Sequence, residues 1–338
     1  MWLPGVRAFL RFVVPVAITS PTVEIDPQLS AALAEAAMLS KSLGMPAPGI
    51  DGLREHAAQT RRHWNQGGPD VPYGERTIPG PKRDIPVVIY RRSASKAPLP
   101  VFVYLHGGGF TIGNQWANDR QMRELAQAWE GVVISADYLH VPENVFPSAV
   151  EEVAALLYWL HRHGTSWGID GERIAIGGMS AGAVVGFGAA VSLAGASWLR
   201  AAVGVVGAFA ADPESPSMRR YGDVGLFPAA SAVAPMFAGY LPQGDQNDPR
   251  ANLLLADPAI FPPTFLAAAE CDVFRDASSA LAERLGRAGR LHKYKVYPGM
   301  SHLFFGFSRS VECASECVRD ITEFLSERLG GVKTFSSN

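Results

Sequence analysis

Short apolar runs recur along most of the chain, with polar or glycine-rich breaks between them. Ile85 to Tyr90, Val101 to Leu105, Val132 to Ala136, Arg173 to Gly177, Ala201 to Val206, Thr264 to Ala269 and Lys293 to Tyr297 read as strands, most of them too continuously apolar to have a solvent face. Between them the apolar period lengthens. Met122, Leu125, Ala126 and Trp129 repeat at i, i+3, i+4 and i+7 before Gly131, and Val153, Leu156, Leu157 and Leu160 do so before Gly164. Ser148 and Glu151 have capping-box spacing at the start of that second helix, and Ala314, Cys317, Val318, Ile321, Phe324 and Leu325 predict a last helix ending at Gly330. Strands alternating with helices from about residue 85 predict an α/β fold: a mainly parallel central sheet flanked by helices.

Two stretches break the rhythm. In residues 1–80 there is no strand alternation. Asp26 and Pro27 start a helix closing at Gly44, and a weaker helix spans Leu53 to Trp64. The apolar stretch from Trp2 to Ile18, interrupted by Arg7, Arg11, Pro4 and Pro15, is too short to span a bilayer and reads as an amphipathic lid helix. Asp212 to Arg250 is irregular, rich in proline, glycine and aromatic residues. The expected organisation is an N-terminal cap segment over residues 1–80, a catalytic domain over 81–330 with a cap insertion near 212–250, and a tail over 331–338.

Composition narrows the class. Of 338 residues 48% are hydrophobic, and 30 Lys+Arg against 32 Asp+Glu leave a formal charge of -2, which excludes an electrostatic nucleic-acid binder. Three cysteines, Cys271, Cys313 and Cys317, make no disulfide framework and point to a reducing, cytoplasmic compartment; Arg7 and Arg11 before a short apolar segment leave secretion open. Cys313 and Cys317 read as packing residues.

The strongest chemical signal is Gly178-Met179-Ser180-Ala181-Gly182, placed between an apolar strand and a small-residue helix. A nucleophile elbow needs that context, because flanking glycines let strand and helix approach across a tight turn. A serine hydroxyl needs a base, and the base an orienting carboxylate. His302, in Pro298-Gly299-Met300-Ser301-His302 after the last strand, is the first choice for the base, with His161 and His163 at a helix end and His56 and His63 in a polar N-terminal segment set aside. Asp272, just past the strand Thr264 to Ala269, is the candidate acid; Glu270 lies deeper and Asp276 reads as a helix N-cap. His106-Gly107-Gly108-Gly109-Phe110 leaves another strand with exposed backbone N–H groups, able with the N–H of Ala181 to receive an oxyanion. No phosphate-loop or dinucleotide spacing fits, and no motif calls for a metal or an organic cofactor.

Together these residues resemble the hormone-sensitive-lipase-like (family IV) esterases of the α/β-hydrolase superfamily, over roughly residues 75 to 330. His106 to Gly113 is similar to that family's oxyanion motif, which implies Gly108 and Gly109 as donors. Asp137-Tyr138 with Pro142-Glu143 resembles its Asp-Tyr-Arg-Leu-Ala-Pro-Glu segment, and Glu270-Cys271-Asp272-Val273-Phe274-Arg275-Asp276 its acid motif. The chain departs at Met179, where an acidic residue or Thr is usual, at Leu139-His140-Val141, where Arg-Leu-Ala is usual, and at Ala251-Asn252-Leu253, where Ser-Pro is usual before the acid strand. The resemblance implies an α/β-hydrolase fold, a helical cap and a serine carboxylesterase. The expected substrate is a small, short-acyl ester of the acetyl type, with Phe9, Phe12 and Val13 over a modest acyl pocket. The alternatives on the same scaffold are an amide or formamide hydrolase, a lyase or cyclase, or a non-catalytic receptor. Expected partners are a small-molecule ester, with no nucleic acid and no stable membrane insertion; homodimerisation stays open.

Overall fold

The computed structural model describes residues 23–92, 95, 97–241 and 244–331, so the stretch from Trp2 to Ile18, with Phe9, Phe12 and Val13, lies outside the described residues. In chain order the elements are α1 (Pro27–Leu43), α2 (Ile50–Trp64), β1 (Tyr73–Pro79), β2 (Asp84–Tyr90), β3 (Leu99–Leu105), α3 (Asp119–Ala128), β4 (Val132–Ala136), α4 (Ser148–His163), β5 (Ile169–Met179), α5 (Ala181–Ser192), β6 (Leu199–Val205), α6 (Pro216–Tyr221), α7 (Ala230–Tyr240), β7 (Thr264–Cys271), α8 (Arg275–Arg287), β8 (Leu291–Ser301) and α9 (Glu312–Leu329). They form one eight-stranded sheet in the order β1-β2-β4-β3-β5-β6-β7-β8, antiparallel at β1-β2 and β2-β4 and parallel from β4 onward.

Every residue of β3 and β4 is buried, because helices cover both faces of the sheet. On one face α4 and α5 pack Val153, Leu156, Leu160 and Phe187 against Val101, Val103 and Ile134. On the other, α3 and α9 pack Met122, Leu125, Ile321 and Phe324 against Phe102, Val133 and Phe265. The short parallel strands thus all end at one edge, where the loops carrying polar residues gather.

The structure corrects four details. β1 was hidden because five of its first six residues are exposed, so no alternation marks it; it pairs along its whole length with β2, and the sheet therefore begins before residue 80. Ser148 does not cap α4. The cap position is Pro147, and the Ser148 hydroxyl accepts a hydrogen bond from Lys82 Nζ at 2.7 Å instead. Trp129 lies just past α3 in extended conformation, where its buried indole donates to the Gly330 carbonyl at 3.0 Å. The stretch from 212 to 250 is irregular in pattern yet contains α6 and α7; Pro235 inside α7 obscures the helical signal.

The start of α1 is strongly specified. Pro27 fixes its first residue, and the Asp26 carboxylate accepts from Gln28 N at 2.8 Å and Leu29 N at 3.2 Å. Asp26 N in turn donates to the Gly299 carbonyl at 3.0 Å, which ties the first helix to the end of β8 just before His302. Among the described residues no helix is long and apolar enough to cross a membrane.

Candidate active site

At the carboxyl edge of the sheet, β5 runs into α5 through Ser180, whose φ of 55° is a left-handed value that non-glycine residues rarely adopt. Two glycines make the turn sterically feasible. A Cβ on Gly178 would stand 2.6 Å from the Leu105 carbonyl oxygen, and one on Gly182 2.3 Å from the same atom. The turn therefore presses α5 against the end of β3 and holds the Ser180 side chain out over the edge.

His302, directly after β8, places Nε2 at 2.8 Å from Ser180 Oγ. Its Nδ1 is 2.8 Å from Asp272 Oδ2. A carboxylate only accepts, so Nδ1 carries the proton and Nε2 presents a lone pair to the serine hydroxyl. All three side chains are buried, with Ser180 7%, Asp272 1% and His302 2% exposed, so their electrostatics act in a water-poor setting. Phe227 and Phe274 flank the imidazole.

The two set-aside acids have other tasks. Glu270 Oε2 accepts from Gly299 N at 2.8 Å and braces the end of β8 ahead of His302, while Asp276 lies in the first turn of α8, not at its cap, and accepts from Ser217 N at 2.7 Å. His56 is not part of a polar surface: it is 4% exposed and lies 3.4 Å from Ser40 Oγ.

The glycine loop after β3 runs beside the serine; a Cβ on Gly107 would meet Ser180 Cβ at 3.3 Å. Gly108 and Gly109 have φ of 144° and 58°, and among the described residues their N–H groups donate to no protein acceptor. The N–H of Ala181 opens α5, where no intrahelical acceptor exists. Gly108, Gly109, Ser180 and His302 line one cavity of about 120 Å³ with Met179, Met236 and Phe307. It adjoins a second cavity of about 520 Å³ bounded by Arg61, Gly107, Gly108, Ile112 and Trp116. Helices α1 and α2 roof the smaller cavity through Ala36, Ser40, Ala57 and Trp64, and the segment from 212 to 250 contributes Phe227, Pro228 and Met236. Arg54 of α2 fastens this roof by donating to the Thr111 carbonyl at 3.0 Å, the Val141 carbonyl at 3.1 Å and the Glu143 carboxylate at 2.7 Å.

Behind the glycine loop, His106, Asp137 and His140 face one another with donor atoms within 4.8 Å. His106 Nδ1–H donates to the Gly107 carbonyl at 3.0 Å, and Arg83 holds Asp137 through Oδ2 at 3.2 Å and its carbonyl at 2.8 Å. His106 Nε2 and His140 Nε2 stand 3.8 and 3.9 Å from Asp137 Oδ1, wider than the ~3.3 Å between ligand atoms around a tetrahedral zinc with bonds near 2.05 Å. His140 Nε2 has no hydrogen-bond partner among the described residues. Burial, helped by the neighbouring His106, lowers its pKa to about 3 against the opposing pull of Asp137. A histidine with a folded-state pKa below the unfolded ~6.5 leaves the unfolded chain holding the extra proton in between, so its contribution is intact above about pH 6.5 and is lost as pH falls toward 3. His140→Leu is therefore expected to reduce the loss of stability between pH 7 and pH 4 by on the order of a few kcal/mol, read from denaturant melts at both values. An equal acid loss in both proteins would contradict it.

A strand, a serine in a left-handed turn, a helix, and a histidine and carboxylate from later strand ends define a nucleophile-elbow protein of the α/β class. The match to a family model described as the alpha/beta hydrolase fold, over residues 102–306, goes further: the chain belongs to the α/β-hydrolase-fold family, in accord with the hormone-sensitive-lipase-like resemblance. Similar solved structures include a hyperthermophilic esterase from the archaeon Pyrobaculum calidifontis, at 28% identity and TM-score 0.82, covering 90% of this chain and 99% of that one. A thermostable esterase from Pseudomonas putida is similar at 25% identity and TM-score 0.81, over 92% and 99%. An ester hydrolase from the metagenome of Lake Arreo, solved with a bipyridine phosphonate derivative, is similar at 28% identity and TM-score 0.80, over 90% and 98%.

One cavity residue escaped the sequence reading. Arg61 belongs to the run Arg61-Arg62-His63, which looks like a solvated helix end, yet it lies on the same face of α2 as the buried Leu53, Ala57 and Trp64. A charge inside an apolar stripe was the available signal.

Proposed function

We propose that the protein is a serine carboxylester hydrolase in which Ser180, His302 and Asp272 form the catalytic triad. The observation that carries the reading is the pair of 2.8 Å contacts joining serine to imidazole and imidazole to carboxylate. Ser180 Oγ attacks the ester carbonyl while His302 Nε2 takes its proton, and Asp272 stabilises the imidazolium. The N–H groups of Gly108, Gly109 and Ala181 receive the negative charge that develops on the carbonyl oxygen. His302 then returns the proton to the departing alcohol, leaving an acyl-serine, and activates water to release the acid. That all three cited solved structures carry esterase or ester-hydrolase names supports the same chemistry. The helices before β1 and the segment from 212 to 250 act as the cap over this site.

The acyl group is short. The cavity around Ser180 is about 120 Å³, and one of roughly 150 Å³ holds a benzene ring, so acetyl to butyryl chains match it in size. Each methylene buried adds up to about 0.8 kcal/mol of binding, an advantage that ends when the cavity is full. Across p-nitrophenyl esters, kcat/KM is expected to peak at two to four acyl carbons, to fall at least about tenfold by ten, and to fall to background for every ester when Ser180 is alanine. A maximum at eight carbons or beyond would contradict the short-acyl assignment, and turnover by the alanine variant would contradict the triad.

A further inference from the structure

Arg61 stands at the junction of the two cavities, lining both the space around Ser180 and the larger one beyond the glycine loop. Most other arginines near this edge are committed: Arg54 to Glu143, Arg83 to Glu152 and Asp137, Arg62 to Glu55, Arg120 to Glu124 and Arg123 to Asp119. Arg61 differs. Among the described residues its guanidinium forms no ion pair and no hydrogen bond, although the group is partly buried. Nη1 lies over Gly306, where a Cβ would approach it to 2.6 Å, so the absence of a side chain at that glycine leaves room for the guanidinium. Burial lowers its pKa from the ordinary arginine value, the neighbouring Tyr104 acting in the opposite sense.

A half-desolvated guanidinium with five donors and no acceptor is costly unless something else supplies the negative charge. Within reach of a cavity wide enough for the larger half of an ester, the charge is best supplied by the substrate. Resting on the esterase reading of this site, we infer that Arg61 binds an anionic group of the substrate, so that the enzyme prefers esters carrying a carboxylate over neutral ones of the same shape. Arg61 is a specificity residue that touches the substrate away from the reacting carbonyl.

Two matched pairs place the charge on either half of the ester: 4-acetoxybenzoate against 4-acetoxybenzamide, and p-nitrophenyl hemisuccinate against p-nitrophenyl butyrate. In at least one pair the anionic member is expected to have the higher kcat/KM by about ten- to a hundredfold, the range of a hydrogen bond between charged groups. Arg61→Met should raise KM for the anionic member far more than for the neutral one, bringing their ratio close to one, and Arg61→Lys should restore part of the preference. A merely structural arginine would instead lower both members together. Binding of benzoate and succinate to Ser180→Ala by calorimetry, with and without Arg61→Met, reads the site without turnover, so failure of the esterase chemistry and failure of the anion site are separate results. Equal kcat/KM within both pairs, or carboxylate binding that ignores Arg61→Met, overturns the proposal.

Discussion

Ser180→Ala is expected to lower kcat on short-chain esters by on the order of 10⁶, leaving only the background supplied by the binding cavity and the glycine loop. The magnitude follows from the way the three residues act as a unit. Without Oγ there is nothing for His302 Nε2 to deprotonate, and the oxyanion donors are left to assist direct attack by water. Stability should change little, since alanine and serine meet the φ of 55° with similar strain and the lost atom faces a cavity rather than packed core. An inactive variant with an unchanged melting temperature is the expected pair of measurements. A variant retaining a tenth of the activity would show that the serine is not the nucleophile.

Gly182→Ala is expected to do the opposite, destroying the scaffold before the chemistry. Its added methyl would stand 2.3 Å from the Leu105 carbonyl oxygen and 2.4 Å from that of His106, and both atoms belong to backbone at the end of a fully buried strand. Neither can turn aside, so α5 must lift from β3. A loss of about 4 kcal/mol or more belongs to that class of clash, seen as a melting temperature lower by about 10 °C or as loss of soluble protein. Gly239→Ala provides the contrast: it lies inside α7, a methyl there meets nothing within 4 Å, and the helix should gain up to about 1 kcal/mol. Equal behaviour of the two variants would refute the close approach of helix and strand as the reason for the glycine.

What could be read from the sequence divides along physical lines. The buried parallel strands were legible because burial on both faces writes a continuous apolar run, as in Val101 to Leu105 and Val132 to Ala136. The edge strand Tyr73–Pro79 was not, because an exposed strand imposes no such pattern. Ser180, Asp272 and His302 could be grouped from the sequence because each follows a strand end, and a parallel sheet brings those ends to one edge; the structure sets His302 within hydrogen-bond distance of both Ser180 and Asp272. The loop bracing by Glu270, Arg54 and Arg83 was not legible, since it depends on partners far apart in the chain. The helix start at Ser148 shows the converse error: the capping spacing was present, but Lys82 claimed the hydroxyl. Arg61 was hidden for a further reason, because only the three-dimensional cavity shows that an ordinary-looking basic residue lacks a partner among the described residues.

The central claim is that one particular hydroxyl is made nucleophilic by its surroundings, and covalent capture tests it most directly. After incubation with a fluorophosphonate, intact-protein mass spectrometry should show a single adduct per chain, and peptide mapping should place it on Ser180, with no adduct on the alanine variant. No adduct on an otherwise folded protein, or an adduct on a different residue, would contradict the account.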